Sequence, residues 1–286
     1  MEAQDFRANV LITAEALAQR VNRDKNIVVL AVRSTDSSAP KPYDLNDRIP
    51  GAVDTDLASE FSRVPQPGEG SRPLPHISDL EKHVRQWGID RSSFVVLYDH
   101  DGNLQAARGW WVLRWAGLKN IRLLDGGFAA WQAAGLPVDR IQPKPRTSSI
   151  TLSAGHLPVI DAPASAALAR SGILLDTRIA PNYQGGVTDP GQPARGHIPG
   201  AINIPAADLL AADGTFADEK TLIEIFRRLG VDGSRSVGFY CGAGVSAPHG
   251  MAALATIGIE AALYPGSWSA WSSESSRPVA RGSEPG

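Results

Sequence analysis

The chain has 286 residues, 43% of them hydrophobic and 20% charged, which is enough for two domains with ordinary packed cores. Its formal net charge of -2 argues against nucleic acid or an anionic membrane as the main partner. No run approaches the roughly 18 apolar residues that a membrane span needs. The single cysteine, Cys241, excludes an intramolecular disulfide. The first residues contain no basic segment followed by an apolar stretch, so we expect a cytoplasmic protein.

The first half of the chain alternates short apolar runs with helical stretches. Residues 28–32 and 94–98 are continuous apolar runs, which are typical of parallel strands covered on both faces. Residues 106–116 have the length and spacing of a helix, with Trp111 and Trp115 on one side. This alternation predicts an α/β domain with a mostly parallel sheet. In such sheets, ligands bind outside the carboxyl ends of the strands.

The second half of the chain repeats the first. The matching pairs of segments are 28–33 with 173–178, 48–53 with 197–202, 95–99 with 237–241, and 124–131 with 264–271. Their common order and nearly constant separation predict two domains of one fold, at 1–140 and 153–286. The proline-rich, polar stretch 141–152 is predicted to be the linker.

Cys241 follows directly on the apolar run 236–240. A loop of small residues comes after the thiol, and the alanine-rich stretch 250–256 is predicted to be a helix. The predicted loop residues are Gly242, Ala243, Gly244, Val245 and Ser246. We expect successive backbone N–H groups of this loop to face the sulfur, with the positive end of the helix dipole adding to their field. Such a site favours a thiolate or a persulfide anion, whereas an isolated cysteine more often packs as a small hydrophobe.

Two other chemistries are disfavoured at this loop. A cysteine-based phosphatase needs an arginine six residues after the cysteine, and Ala247 stands there. A metal site formed by Cys241 and His249 lacks the further ligands that zinc requires, so we expect no metal and no cofactor. His197, in a Gly-His-Ile-Pro-Gly turn, is predicted to be a structural residue that bonds backbone rather than a catalytic base.

Two motifs resemble the signatures of one family. Residues 196–201 read Gly-His-Ile-Pro-Gly-Ala, and residues 264–271 read Tyr-Pro-Gly-Ser-Trp-Ser-Ala-Trp, with Ala270 where glutamate is usual. Nearly the whole chain is therefore similar to the tandem-domain rhodaneses. The resemblance implies two rhodanese-like α/β domains and a sulfurtransferase. In that reaction, Cys241 takes a sulfane sulfur from a small donor, holds it as a persulfide and passes it to cyanide or a thiol.

The first half carries Asp99 at the position that matches Cys241. A carboxylate cannot carry a sulfane sulfur, so the resemblance implies a catalytically inactive domain that contributes one wall of the cleft. The loop at 100–103 contains His-Asp-Gly-Asn. We expect this acidic loop not to form a neutral set of amide donors.

The residues around the thiol bear on the identity of the donor. The loop reads Cys-Gly-Ala-Gly-Val-Ser-Ala, which is closer to 3-mercaptopyruvate sulfurtransferases than to thiosulfate-using enzymes, where basic residues tend to follow the cysteine. Asn182–Tyr183 and Asp189–Gly191 replace the Arg-Phe and Glu-Pro-Arg elements of the family. Arg178 and Arg195 remain as substrate-binding candidates, although arginines at strand ends also commonly pair with carboxylates. Arg72 stands where relatives often carry histidine.

Other assignments follow from the same resemblance. A thioredoxin-like reductant is a candidate partner, and a thiosulfate sulfurtransferase or a non-catalytic binding module are the alternative functions. Trp268 and Trp271 match Phe128 and Trp131, which favours shared core packing over a role in lining the cleft. The serine-rich tail after Ser272 is expected to be mostly solvated.

Overall fold

The computed structural model describes residues 5–24, 26–34, 46–186 and 195–286. The Asp189–Gly191 element discussed above lies outside these residues. None of the helices in the described ranges has the length and apolar character that a membrane-spanning helix requires.

The described chain divides into two compact units whose limits interleave along the sequence. The first combines the described residues up to Arg63 with Pro75–His156 and Ala211–Phe216. The second combines Val64–Leu74 with the described parts of Leu157–Leu210 and with Ala217–Gly286. The division after His156 falls four residues beyond the predicted linker. The two exchanged segments, 64–74 and 211–216, have no counterpart in the prediction from sequence, because local patterns carry no information about long-range packing.

The described residues of the first unit form a five-stranded parallel sheet in the order β1-β5-β4-β2-β3. The strands are β1 (Leu11–Ile12), β2 (Ile27–Arg33), β3 (Val53–Asp56), β4 (Phe94–Tyr98) and β5 (Ile121–Leu124). The helices are α1 (Ala14–Arg23), α2 (Ile77–Gln86), α3 (Ala106–Trp115) and α4 (Gly127–Ala133), preceded by a 3-10 turn at Arg7–Asn9. The predicted strands 28–32 and 94–98 and the predicted helix 106–116 are confirmed.

The described residues of the second unit form a four-stranded parallel sheet in the order β7-β6-β8-β9. The strands are β6 (Ile173–Asp176), β7 (Ile202–Asn203), β8 (Val237–Tyr240) and β9 (Ala262–Leu263). The helices are α5 (Ala162–Ser171), α6 (Ala180–Gln184), α7 (Glu219–Arg228), α8 (Ala247–Ala255) and α9 (Ser267–Ser272), with a 3-10 turn at Ala206–Leu209. All four residues of β8 are buried, as a strand paired on both sides and covered on both faces requires.

Local sequence signals determine where three helices of the second unit begin. The carboxylate of Asp161 accepts the N–H of Ala164 at the start of α5, and that of Asp218 accepts the N–H of Thr221 at the start of α7. The helix after the thiol begins at Ala247, three residues before the predicted start at residue 250. Pro248 stands in its first turn, where proline needs no N–H partner and a helix can begin.

A glycine brings α8 close to the sheet beside the thiol. A Cβ at Gly250 would lie 2.7 Å from the ring of Phe239 in β8 and 3.0 Å from the methyl group of Thr177 after β6. A side chain at position 250 would therefore collide with Phe239 and Thr177. The first turn of α8 is therefore held at the carboxyl ends of the two strands.

The two units repeat each other in detail. The hydroxyl of Tyr98 accepts the N–H of Ile49 at 3.0 Å in the first unit, and the hydroxyl of Tyr240 accepts the N–H of Ile198 at 3.1 Å in the second. The indole N–H groups of Trp131 and Trp271 donate to the carbonyls of Pro137 and Pro278, respectively. Trp268, Trp271, Phe128 and Trp131 are all buried in the cores, which confirms the predicted core packing.

The tail after Ser272 is mostly exposed, as predicted, and its last residues also pair with the turn at 197–200. Ala280 exchanges backbone hydrogen bonds with His197 at 2.9 and 3.0 Å. The carbonyl of Pro285 accepts the N–H of Gly200 at 2.7 Å, and Gly282 donates to Gln184 at 2.8 Å. The tail completes the backbone hydrogen bonding of the 197–200 turn, which a composition-based prediction cannot detect.

Candidate active site

Cys241 lies at the carboxyl end of β8, beside the end of β6. Tyr240 pairs in register with Asp176, and the carbonyl of Tyr240 accepts the N–H of Thr177 at 3.1 Å. The thiol is 1% exposed and lies where parallel sheets place their ligands. Burial removes competing water, so polar groups near the sulfur act on it with little screening.

The loop after the thiol turns back toward the sulfur at one glycine. Gly244 has a φ of +75°, a left-handed conformation that glycine adopts without cost, and its N–H donates to Cys241 Sγ at 3.0 Å. The sequence predicted several backbone N–H donors to the sulfur, and the structure shows one, the N–H of Gly244. The N–H groups of Gly242, Ala243 and Val245 make no hydrogen bond within the described part of the chain.

Ser267 is a polar neighbour of the thiol that the sequence reasoning did not single out. Its hydroxyl accepts the N–H of Cys241 at 3.2 Å, donates to the carbonyl of Tyr264 at 2.9 Å and lies 3.9 Å from Cys241 Sγ. Its φ is +52°, in the left-handed region that costs a non-glycine residue roughly 1–2 kcal/mol. The equivalent residue of the first unit is Gly127, with φ +58°. Comparing the two repeats would have pointed to Ser267, because a serine replaces a glycine at this turn.

The turn around Ser267 also fixes the backbone of the loop. The N–H of Trp268 donates to the carbonyl of Cys241, and the N–H of Ser269 donates to that of Gly242, both at 2.9 Å. At the other end of the loop, the Ser246 hydroxyl lies 3.1 Å from that of Thr177. The loop is therefore tied to β6 and to the first turn of α9.

Arg178, a predicted substrate-binding residue, is paired inside the protein. Its Nε lies 3.0 Å from each carboxylate oxygen of Asp176, and its Nη2 lies 2.5 Å from Oδ2 of the same carboxylate. Other N–H groups donate to the carbonyls of Gly196 at 2.7 Å and Asn182 at 3.2 Å. Burial disfavours the charge, but the Asp176 carboxylate outweighs it and holds the pKa of Arg178 above its usual value. This pairing disfavours the predicted role in binding substrate.

Arg195, the other predicted substrate arginine, is exposed. Its carbonyl accepts from Arg281 Nε at 3.3 Å, and its guanidinium forms no hydrogen bond or ion pair with the described residues. It lies directly before Gly196, whose carbonyl holds Arg178. The structure therefore does not bring the two predicted arginines together as a pair of substrate-binding cations.

His197 serves the backbone, as predicted. It is fully buried and stacked on Tyr183, with ring centroids 3.7 Å apart. Its Nδ1 lies 2.9 Å from the carbonyl of Tyr183 and its Nε2 lies 3.2 Å from that of Pro285. Both ring nitrogens are thus directed at carbonyl oxygens, which leaves neither placed as a base for the thiol.

Ala270, which departs from the family pattern, packs against the exchanged segment 64–74. A Cβ at Gly70 would lie 3.2 Å from the Ala270 side chain and 2.9 Å from Ser269 Oγ. The N–H of Ser71 donates to Ser269 Oγ at 2.9 Å. A glutamate at position 270 would have to share this space with the segment.

In the first unit, the loop after β4 does form a set of amide donors, contrary to the prediction for an acidic loop. The Asp99 carboxylate accepts the N–H groups of Asp101 and Asn103 at 2.8 Å, of Gln105 at 2.7 Å and of Ala106 at 2.8 Å. Burial raises the pKa of Asp99 above that of an ordinary carboxyl group, and the four N–H donors oppose that rise. The Asp99 carboxylate itself therefore occupies the space that these N–H groups surround. Acidic side chains in the loop do not prevent this, because its backbone amides face inward.

The comparisons with known proteins agree with this duplicated architecture. The rhodanese-like domain family matches residues 13–134 and 162–274, which together span most of the chain. The chain belongs to the rhodanese family. A Mycobacterium tuberculosis relative named as a thiosulfate sulfurtransferase, SseB, is 41% identical over 96% of this chain and 98% of its own length.

Other members of the rhodanese family are similar over nearly the full length. A Pseudomonas aeruginosa protein named as a 3-mercaptopyruvate sulfurtransferase is 38% identical over 95% of this chain and 98% of its own. The crystal structure of SseA from Escherichia coli, a 3-mercaptopyruvate sulfurtransferase, superposes with a TM-score of 0.77 at 28% identity, covering 91% of this chain and 98% of SseA. The tandem rhodanese fold predicted from the sequence motifs is confirmed.

Proposed function

We propose that this rhodanese is a sulfurtransferase that carries a sulfane sulfur as a persulfide on Cys241, with 3-mercaptopyruvate as the favoured donor. The observation that carries the proposal is the Gly244 N–H, 3.0 Å from Cys241 Sγ at the turn between β8 and α8. The relatives named as sulfurtransferases cover almost the whole chain and support the same reaction class.

The first step forms the persulfide. The Cys241 thiolate attacks the sulfur of mercaptopyruvate, a new S–S bond forms and the donor's carbon–sulfur bond breaks. The electron pair of that bond leaves on carbon as the enolate of pyruvate, which takes up the proton released from the donor's thiol. The loop N–H groups stabilise the outer sulfur as an anion, which needs hydrogen-bond donors rather than a base.

The second step returns the thiolate. A nucleophile such as cyanide attacks the outer sulfur, the S–S bond breaks and its electron pair returns to Cys241, with thiocyanate as the product. A thiol acceptor gives a new persulfide in the same way, and a thioredoxin-like reductant is a candidate partner. We also expect the reaction to take place in the cytoplasm.

The composition of the loop supports the choice of donor. Gly242 and Ala243 offer no side-chain cation, and thiosulfate would bring two negative charges into a site where the thiol is 1% exposed. Mercaptopyruvate brings one carboxylate, which a single guanidinium can bind through two hydrogen bonds. The alternative donor is thiosulfate, favoured by the name of the Mycobacterium tuberculosis relative.

Intact-protein mass spectrometry after exposure to each donor tests the proposal. We expect the wild-type protein to gain the mass of one sulfur atom and to lose it on addition of cyanide. Cys241→Ser, which barely changes volume, is the matched control and should gain nothing while remaining folded. A wild-type protein that takes sulfur from neither donor would instead support a non-catalytic binding module.

Steady-state kinetics then distinguish the two donors. We expect a higher kcat/KM for mercaptopyruvate than for thiosulfate, with a high KM because the family's arginine elements are altered. A clearly higher kcat/KM for thiosulfate would contradict the donor assignment and leave the sulfurtransferase assignment standing.

A further inference from the structure

The first unit contains a cavity of about 440 Å³ that takes no part in the proposed reaction. It lies at the edge of the sheet, beside the strands β1 and β5 and the helix α1. A volume of this size falls in the range of sites for small molecules. The cavity combines an apolar wall with a group of charged side chains, as a site for an amphipathic ligand would.

Four side chains form the apolar wall. Leu11 and Ile12 come from β1, Ala16 from α1 and Phe94 from the start of β4. The two β1 residues are buried, Phe94 is half-buried and Ala16 is exposed. The cavity therefore has an apolar floor and opens to solvent beside α1.

Two arginines that line the cavity meet at the Phe94 ring. The guanidinium carbon of Arg20 lies 4.1 Å from the ring centroid, and that of Arg122 lies 5.4 Å from it. Arg122 pairs with Val96 in the sheet, so its side chain lies on the same face as that of Phe94, two residues before Val96. Burial, followed by the charges of Arg114 and Arg20, lowers the pKa of Arg122 below its usual value. An anion bound between these cations would relieve their mutual repulsion.

The contacts of Arg122 are with neutral groups. Its Nε donates to the carbonyl of Ala8 at 2.5 Å, its Nη1 to that of Ile121 at 3.1 Å, and its Nη2 to Oδ1 of Asn9 at 3.2 Å. These bonds orient the guanidinium and use three of its five N–H groups. Within the described residues, Arg122 forms no ion pair with a carboxylate, so its positive charge is not offset at contact distance.

The charges that line the cavity sum to one positive charge. Arg7 pairs with Asp125 at 2.9 Å. Arg20 also contacts Asp24, which lies outside the cavity, at 3.2 Å; the two side chains are 46% and 34% exposed, and such pairs contribute little. The lining carries three arginines and two aspartates, namely Arg7, Arg20, Arg122, Asp5 and Asp125. This balance suits a ligand with a single negative charge.

We propose that this cavity binds a small organic monocarboxylate with an apolar body. The carboxylate binds the guanidinium groups of Arg122 and Arg20, because a planar guanidinium offers a carboxylate two N–H donors. The apolar body packs against Leu11, Ile12 and Ala16. The inference is independent of the proposed sulfurtransferase function, since it involves no residue of the Cys241 site.

An NMR titration of the full chain with benzoate tests the proposal. We expect the backbone N–H signals of Ala16, Arg20, Phe94 and Arg122 to shift together, with a Kd on the order of 1 mM or tighter. Benzyl alcohol has the same ring without the charge, and acetate has the charge without the ring. Both should bind at least about tenfold more weakly, because each lacks one half of the interaction. Equal affinity for benzyl alcohol, or shifts confined to the loop after Cys241, would overturn the proposal.

Three variants separate the charge of the cavity from its shape. Arg122→Gln should weaken benzoate binding roughly ten- to a hundredfold, because one charge-assisted contact is lost. Ala16→Phe fills the cavity from an exposed helix position without changing its charge and should abolish binding. Asp5→Asn removes a negative charge from the lining and should strengthen binding.

The control Arg228→Gln removes an exposed arginine of α7 and should leave benzoate binding unchanged. Melting temperatures show which variants are folded. Because Arg122 also bonds the backbone near residue 8, Ala16→Phe and Asp5→Asn decide the test if Arg122→Gln does not fold. Benzoate binding that is unchanged in folded Ala16→Phe protein would overturn the proposal.

Discussion

Asp99 and Cys241 occupy equivalent places in the two units. Each directly follows a buried central strand, and each carbonyl accepts an N–H at 2.9 Å, from Phe128 and Trp268 respectively. The amides around Asp99 bind a carboxylate that the chain supplies itself, whereas the loop after Cys241 directs the Gly244 N–H at a sulfur. The same backbone design thus directs N–H groups at a carboxylate in one unit and at a thiol sulfur in the other.

This equivalence predicts that Asp99→Asn destabilises the protein. An amide presents one oxygen and one NH2 group, so two of the four N–H donors would face another donor while buried. We expect the free energy of unfolding to fall by roughly 2–5 kcal/mol, with turnover per folded molecule largely unchanged. Urea unfolding measures the first quantity and active-site-normalised kinetics the second. Asp79→Asn, at an exposed carboxylate of α2, is the control. A severe loss of turnover in well-folded Asp99→Asn protein would show that the first unit takes part in the chemistry.

We expect Ser267 to lower the stability of the protein through its left-handed backbone and to support turnover through its hydroxyl group. Ser267→Gly relieves the left-handed strain and removes the hydroxyl, while Ser267→Ala removes the hydroxyl and keeps the strain. We predict a lower melting temperature for the alanine variant than for the glycine variant. Both should show kcat lowered on the order of ten- to a hundredfold, because the hydroxyl beside Sγ is lost. Wild-type kcat in Ser267→Gly would show that the hydroxyl only supports the turn.

Arg178 is predicted to be a stability residue. Arg178→Gln leaves the buried Asp176 carboxylate without its guanidinium, which should lower the free energy of unfolding by about 3–5 kcal/mol. The double variant Asp176→Asn/Arg178→Gln should recover part of this loss, since it removes both charges. Thermal and urea unfolding provide the measurement. A stable Arg178→Gln protein with a raised KM for mercaptopyruvate would restore the substrate-binding role predicted from sequence.

His100 is expected to make stability depend on pH. Burial, followed by the charge of Arg33 at 2.9 Å, lowers the pKa of His100 to about 4, against about 6.5 in an unfolded chain. As the pH falls, the unfolded chain takes up this proton first, so stability is lost between pH of about 6.5 and about 4. The test is the melting temperature of the wild type and of His100→Gln, measured at several pH values across this window. We expect the melting temperature of the variant to fall less than that of the wild type as the pH is lowered. An equal fall in both proteins would show that His100 does not cause the pH dependence.

The sequence by itself determined the duplicated α/β fold and the place of the thiol. The apolar runs that end at Tyr98 and Tyr240 are local signals, because a strand buried on both faces has to be continuously apolar. The small residues after Cys241 predicted a turn for the same local reason, and the structure places Gly244 there with a positive φ. The start of α8 was missed by three residues, because a proline in the first turn does not by itself show whether a helix begins there or the loop continues.

Only the tertiary structure decided which side chains surround the thiol and which charges are already paired. Ser267 lies 26 residues after Cys241, and Ser71 reaches Ser269 across 198 residues. Arg178 is a candidate substrate cation in the sequence, but the fold turns its guanidinium back onto Asp176. The acidic residues after Asp99 suggested a loop without amide donors, but in the structure the backbone N–H groups of that loop point inward at the Asp99 carboxylate. These relationships depend on long-range packing and on the direction of backbone N–H groups, and neither is encoded in the pattern of neighbouring residues.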